Sequence, residues 1–273
     1  MQRFMTFVNG SNLFTAFKHI DLFIDDYEDL YTYIFEQVTE WWRSTVVAPT
    51  PPSVQHIRIY WHVVDSIDEW DINNPKTRQH LFERFMDDRE VRTRWMAEAG
   101  KGTNGVIDHA KLEQTAFSLC LDDCKNWYEK RLAVLNGMNR FHHAVEASTD
   151  FIKLCRCGRW KIDLLHKVIT ERGLDVCFAV DAVAMKDQYD VGIFVGGDPD
   201  GVAGLNYLRN HGKQVAVVEL LKGYAPEYPE RGFATPLKLS ADFVVPIYEM
   251  DLVKRQIASR GGGGDTFALR ESA

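Results

Sequence analysis

The chain has no apolar run approaching the roughly 18 to 20 residues that a membrane-spanning helix requires, and its opening residues lack the basic stretch and apolar core of a secretory leader. A soluble cytoplasmic protein is the resulting expectation. Positive charge is not in excess either: 32 Lys and Arg stand against 39 Asp and Glu, a formal net charge of −7. That balance excludes wholesale coating of nucleic acid but allows a local basic groove. Cysteine is sparse and odd in number, five in 273 residues, and neither Cys120-x-x-x-Cys124 nor Cys155-x-Cys157 has the spacing of a structural zinc pair. Reduced thiols rather than a zinc site are expected. The glycine-rich stretch 100–105 lacks both the Gly-Lys-Ser/Thr ending of a phosphate-binding loop and a strand before it, so it reads as a connection.

What is present is enough apolar material, 45% of the residues, to bury a core as one domain with insertions or as two. The stretch that organises the rest is Tyr189 to Gly201. Val191-Gly192-Ile193-Phe194-Val195 has the length and near-continuous apolarity of a strand covered on both faces. Gly196 and Gly197 permit a tight turn, and Pro199 suits the first turn of a helix. Asp198 and Asp200 therefore fall at the carboxyl edge of a central strand, where open α/β sheets place their ligand crevices. Two readings of these carboxylates stand. They cap the helix and complement its dipole, or they share a hard cation, Mg²⁺ or Mn²⁺, that relieves their repulsion.

Taken in order, Phe4 to Val8 reads as a strand broken by Asn9-Gly10-Ser11-Asn12, with Ser11 or Asn12 capping the next helix. Asp21 to Trp42 has helical periodicity, and Pro49-Thr50-Pro51-Pro52 ends it. Val54 to Val64 resumes as a strand, in which Ile57, Ile59, Trp61 and Val63 alternate with the polar set Gln55, His56, Arg58 and His62. From 65 to 149 the chain reads as a helical insertion: a charged helical stretch over Lys76 to Ala99, then a long amphipathic helix that Asn136-Gly137 stops. Cys120 and Cys124 lie on the apolar stripe of that helix and are assigned to the core.

Phe151 to Cys155 reads as a strand. Lys153, Arg156, Arg159, Lys161 and Lys167 crowd around and after it, either a solvated face or a phosphate-contacting patch. Gly173 to Met185 is an apolar helix interrupted by Asp175 at its start and by Asp181. At 100° per residue the two acids lie roughly 120° apart around the axis, so Asp175 is the better ligand and Asp181 an outer one. A helix through Leu205 and Leu208, a strand over Gln214 to Leu220, a loop over Lys222 to Phe233, a short helix over Pro236 to Ala241, a strand over Asp242 to Ile247 and a helix over Tyr248 to Ile257 complete the pattern. Residues 259–273 are expected to be a disordered tail.

Four pieces in fixed order carry a resemblance: Phe7-Val8-Asn9-Gly10-Ser11-Asn12-Leu13, Gly173-Leu174-Asp175-Val176 with Val180-Asp181-Ala182, Ile193 to Asp200, and Asn210-His211-Gly212-Lys213-Gln214-Val215. Together they resemble the NYN domain, the LabA-like branch of the PIN-like nucleases, with 1–64 and 150–258 as the matching α/β domain. The resemblance implies a Rossmann-like, mostly parallel sheet flanked by helices, and an acidic edge that binds Mg²⁺ or Mn²⁺ and hydrolyses RNA. Carried over by position, Asn9, Asp175 and Asp198 would hold the metal. Asp181 and Asp200 would stand close by, and Ser11, Asn12 and the five basic residues would bind substrate. RNA, single-stranded or structured, is the implied partner, alongside a homodimer and no membrane. The family ends its first strand in Asp where this chain has Asn9, which lowers the charge of the site and the acidity of a bound water. A non-catalytic RNA-binding or protein-interaction module remains the alternative, and a Rossmann-like nucleotide binder is a weaker third reading.

Overall fold

The computed structural model describes residues 1–45, 52–101, 108–196, 198–224 and 235–261. The Pro-rich linker lies largely outside these residues, as do most of the glycine-rich connection, most of the loop after Lys222 and the tail beyond 261. In chain order the elements are β1 (Gln2–Asn9), α1 (Gly10–His19), β2 (Leu22–Ile24), α2 (Tyr27–Thr45), β3 (Val54–Ile67), α3 (Pro75–Asp87), α4 (Arg89–Ala99), α5 (His109–Ser148), β4 (Ile152–Asp163), β5 (Val168–Arg172), α6 (Leu174–Ala184), β6 (Val191–Val195), α7 (Val202–Asn210), β7 (Gln214–Leu221), α8 (Thr235–Leu239), β8 (Phe243–Tyr248), α9 (Glu249–Lys254) and β9 (Ala258–Arg260). The fold is α/β, as the apolar runs and intervening helices predict. A seven-stranded sheet has the order β5-β4-β3-β1-β6-β7-β8, and β2 pairs with β9 in a separate antiparallel ribbon. The pairings of β1 with β3 and β6, of β6 with β7, and of β7 with β8 are all parallel. Among the described residues no helix is long and apolar enough to cross a membrane.

The chain divides into two compact units, one of residues 1–65, 139–158 and 172 onward, the other of 66–138 and 159–171. The second is thus neither the contiguous 65–149 read from the sequence nor wholly helical, because parts of β3, β4 and β5 belong to it.

In the first unit the central strands are buried on both faces, which accounts for their continuous apolarity. Phe4 and Val8 of β1, Val191, Ile193 and Val195 of β6, and Ala216 and Val218 of β7 pack with Leu13, Phe17, Leu30, Ile34 and Trp42 of α1 and α2. The alternate residues Met5, Phe7, Phe194, Val215 and Val217 pack with Phe178 and Ala182 of α6 and with Leu205 and Leu208 of α7. Gly192 lacks a side chain because a Cβ there would lie 2.7 Å from the Phe194 ring, which itself stacks on Phe7 at 5.4 Å.

In the second unit, Phe117 of α5 meets Phe82 and Phe85 of α3 at ring separations of 5.1 and 5.5 Å. Tyr128 donates to the Asp68 carbonyl at 2.8 Å and accepts from the Trp70 amide at 3.2 Å. Cys120 and Cys124 are buried as expected, and the Cys124 thiol donates to the Leu164 carbonyl.

Several boundaries differ from the sequence reading for identifiable reasons. Asn9, rather than Ser11 or Asn12, caps α1 by accepting from the Asn12 amide at 3.1 Å. The charged stretch is two helices, because Asp88 ends α3 and caps α4 with a bond to the Val91 amide at 3.0 Å. Asn136-Gly137 does not stop α5, whose next residues are fixed by packing: Asn139 donates to the Asp65 carbonyl at 3.1 Å, and Phe141 lies 5.5 Å from the Tyr27 ring. β4 extends to Asp163, so most of the basic residues sit on a strand rather than after one.

Candidate functional site

β1 and β6 run parallel and side by side, with Val8 opposite Val195, so the turns that leave them, at Asn9 and Gly196, share one edge of the sheet. Gly196 is held at φ +154, and a Cβ there would come within 3.0 Å of the Asn9 Cβ. Only glycine allows both that backbone and that approach. Asp175, in the first turn of α6, faces the same edge. Asn9, Asn12, Asp175, Phe178, Phe194, Gly196, Asp198, Gly201, Leu205 and Leu237 line a common cleft.

The carboxylates of Asp175, Asp198 and Asp200 each bring an oxygen to within 4.8 Å of the others. Asp198 also accepts from the Asp200 amide at 2.9 Å, so it caps the turn before α7 with one oxygen and leaves the other available. Capping and cation binding are compatible here. Burial foremost, and then the charge of Asp198, raises the Asp175 carboxyl above its usual value, against a lowering hydrogen bond from Asn9. An all-oxygen set of mutually repelling carboxylates fits Mg²⁺ or Mn²⁺, whose charge would offset that repulsion.

Asn9 itself is turned away from the role of ligand. Its side-chain oxygen is engaged by the α1 cap, and its Nδ2 donates to Asp175 Oδ1 at 2.8 Å. The amide thus presents a weakly positive edge to the acidic cluster where a carboxylate would add negative charge. Asn12 Nδ2, at the cleft, is buried without a hydrogen-bond partner among the described residues. Ser11 lies in the first turn of α1 and is not among the residues lining the cleft.

Asp181 does not join this cluster. Six residues along α6 from Asp175, its Oδ2 lies 2.9 Å from Nε2 of the fully buried His62 ring. His62, Cys155 and Asp181 form a second group whose donor atoms lie within 4.8 Å of one another. Burial lowers the pKa of His62 against the opposing pull of Asp181. Burial also pushes the Cys155 thiol up to about 12, with help from the Asp181 carboxylate. Sequence reasoning passed over His62 as one of the alternating polar residues of its strand, and it set Cys155 aside because Cys155-x-Cys157 lacks the spacing of a zinc pair. The one available signal was the 120° offset that separated Asp181 from Asp175.

The basic residues are divided. Lys153 and Arg156 belong to the first unit, Arg159, Lys161 and Lys167 to the second. Three of them are engaged in ion pairs: Arg156 with Glu146 at 2.7 Å, Arg159 with Asp68 at 2.6 Å, and Lys167 with Asp123. None of the five lines the acidic cleft.

No family model matches the sequence, and no curated protein matches it. Among solved structures, the crystal structure of a protein of unknown function from Vibrio parahaemolyticus matches with a TM-score of 0.42 and 16% identity, over 91% of this chain and 94% of that one.

Proposed function

We propose that the chain is a divalent-cation-dependent ribonuclease of the NYN type it resembles, weakened by Asn9. The observation that carries this reading is the convergence of Asp175, Asp198 and Asp200 beside the unpartnered Asn12 amide at the edge of the central strands. A Mg²⁺ or Mn²⁺ held by these carboxylates would polarise a phosphate and lower the pKa of water near it. Asp175 and Asp198 would supply the holding oxygens, with Asp200 at the exposed rim. Asn12 Nδ2 would donate to a phosphate oxygen and fix its position. Asn9 occupies one lone pair of Asp175 and contributes no charge, so cation affinity is reduced. All five cysteines are free thiols, in keeping with a cytoplasmic setting.

The Asn9–Asp175 hydrogen bond also supports a second reading, a non-catalytic RNA-binding module, because it partly satisfies the half-buried acid without an ion. Cleavage of a labelled single-stranded RNA in Mn²⁺ separates the two, run on this chain, on Asn9→Asp and on Asn9→Asp/Asp198→Ala. The expected result is that Asn9→Asp raises the rate about tenfold or more, ~1.4 kcal/mol of barrier, and that adding Asp198→Ala abolishes cutting. If all three proteins bind the RNA alike and none cuts it, the module reading replaces the enzyme.

A further inference from the structure

Outside the acidic cleft, the first unit carries a second constellation of different chemistry. His62 is wholly buried, with Nδ1 3.3 Å from the Val8 carbonyl oxygen and Nε2 2.9 Å from Asp181 Oδ2. Both neighbours accept hydrogen bonds, and a neutral imidazole has a single N–H to offer. One of the two contacts therefore sets a lone pair against an oxygen unless a cation lies between them. Cys155 completes the group: its Sγ, a His62 ring nitrogen and an Asp181 carboxylate oxygen all lie within 4.8 Å of one another.

The supporting residues follow the same pattern. Cys155 and Cys157 are two apart on β4 and so project to one side of it, while Cys177 and Asp181 are four apart on α6 and share one face. Cys155 and Cys157 both sense the charges of Cys177 and Asp181 on α6. Sequence spacing does not reveal the group because its members come from β3, β4 and α6.

We propose that His62, Cys155 and Asp181 form a binding site for a divalent d-block cation of the Zn²⁺ class, with Cys177 or water completing its coordination. Nitrogen, sulfur and oxygen donors together suit Zn²⁺ and not Mg²⁺, so this site is chemically distinct from the all-oxygen cleft. With Nδ1–H donated to the Val8 carbonyl, the Nε2 lone pair faces Asp181, the arrangement that orients metal-binding imidazoles elsewhere. The Asp181 side chain is 35% exposed, which leaves the ion a route from solvent. Binding would exchange the Cys155 thiol proton for the metal and tie three elements together.

The test uses the full chain, freed of metal with chelator and titrated with Zn²⁺ or with Co²⁺ as reporter. Expected are a stoichiometric Zn²⁺ that survives gel filtration, a thiolate-to-cobalt absorption band, and a Zn²⁺-dependent rise in Tm. Cys155→Ser should remove the band and the rise. Asp181→Asn should weaken binding about tenfold or more, and Asp198→Ala should change none of these readings. Because Asp181 is partly exposed, its variant keeps the test valid if Cys155→Ser fails to fold, which far-ultraviolet circular dichroism of the metal-free proteins reports. Absence of the band, or a band that persists in Cys155→Ser, overturns the proposal. Neither result bears on RNA cleavage at the acidic cleft.

Discussion

His142 sits among the rings of Phe14, Trp61 and Phe141 with neither ring nitrogen hydrogen-bonded, and burial lowers its pKa to about 4. His56, stacked on Phe35 at 4.5 Å and bonded to Thr6, is lowered to about 4 by burial as well. Above pH 6.5, the ordinary value of an imidazole, both are neutral whether folded or unfolded and contribute no pH dependence. As the pH falls from 6.5 toward 4, the unfolded chain takes up protons that the folded chain refuses, and stability declines; below 4 this loss levels off. Urea midpoints at pH 7 and pH 4.5 should therefore show a smaller acid loss for His142→Phe than for the parent, by roughly 1 to 3 kcal/mol. At this scale Asp198 and Asp175 were legible because a strand end and a helix start declare themselves in adjacent residues. His56 and His62 were not, since their burial depends on elements distant in sequence, α2 over one and α6 over the other.

The junction of β1 and α1 is tightly constrained. Asn9 caps the helix, and Asp serves that position equally well, so Asn9→Asp changes the charge of the cleft without removing the cap. The next residue has no room at all: a Cβ on Gly10 would stand 2.7 Å from the His62 carbonyl oxygen and 2.9 Å from Trp61 Nε1. Gly10→Ala should lower stability by about 1 to 3 kcal/mol, read as a shift in the denaturant midpoint at unchanged slope. Apolar strands such as β6 and β7 were readable to within a residue, because burial on both faces leaves no other pattern. β2 and β9 were not, being three residues each and paired with a partner more than 230 residues away in sequence. The continuation of α5 past Asn136-Gly137 was hidden for the opposite reason, a local stop signal overruled by contacts made further along.

At the scale of the whole molecule, a net charge of −7 opposes association with a polyanion, and three of the five candidate phosphate contacts are already paired with carboxylates. If the chain binds RNA as proposed, that binding should depend only weakly on salt. With about 0.7 per phosphate contact on single strands, Lys153 and Lys161 alone give a log–log slope of roughly −1 to −2 in fluorescence anisotropy. A slope steeper than −3 would mean that Arg156, Arg159 and Lys167 all release their partners and join in. The α/β class and the acidic edge were legible because they arise from strand-to-helix turns. The division into units was not, because it cuts through β3, β4 and α5 where no linker composition marks it.

Helix α6 carries Asp175 to one cluster and Asp181 to the other on a single rigid rod, with a rise of roughly 9 Å between them. Turning or sliding that rod is one motion, and neither carboxylate can make it without the other. The two pockets are thus gauges on a common axle. If both proposed sites take an ion, whatever factor one imposes on the affinity of the other must be returned in equal measure, so occupancy of the thiol-bearing site would be readable at the acidic edge.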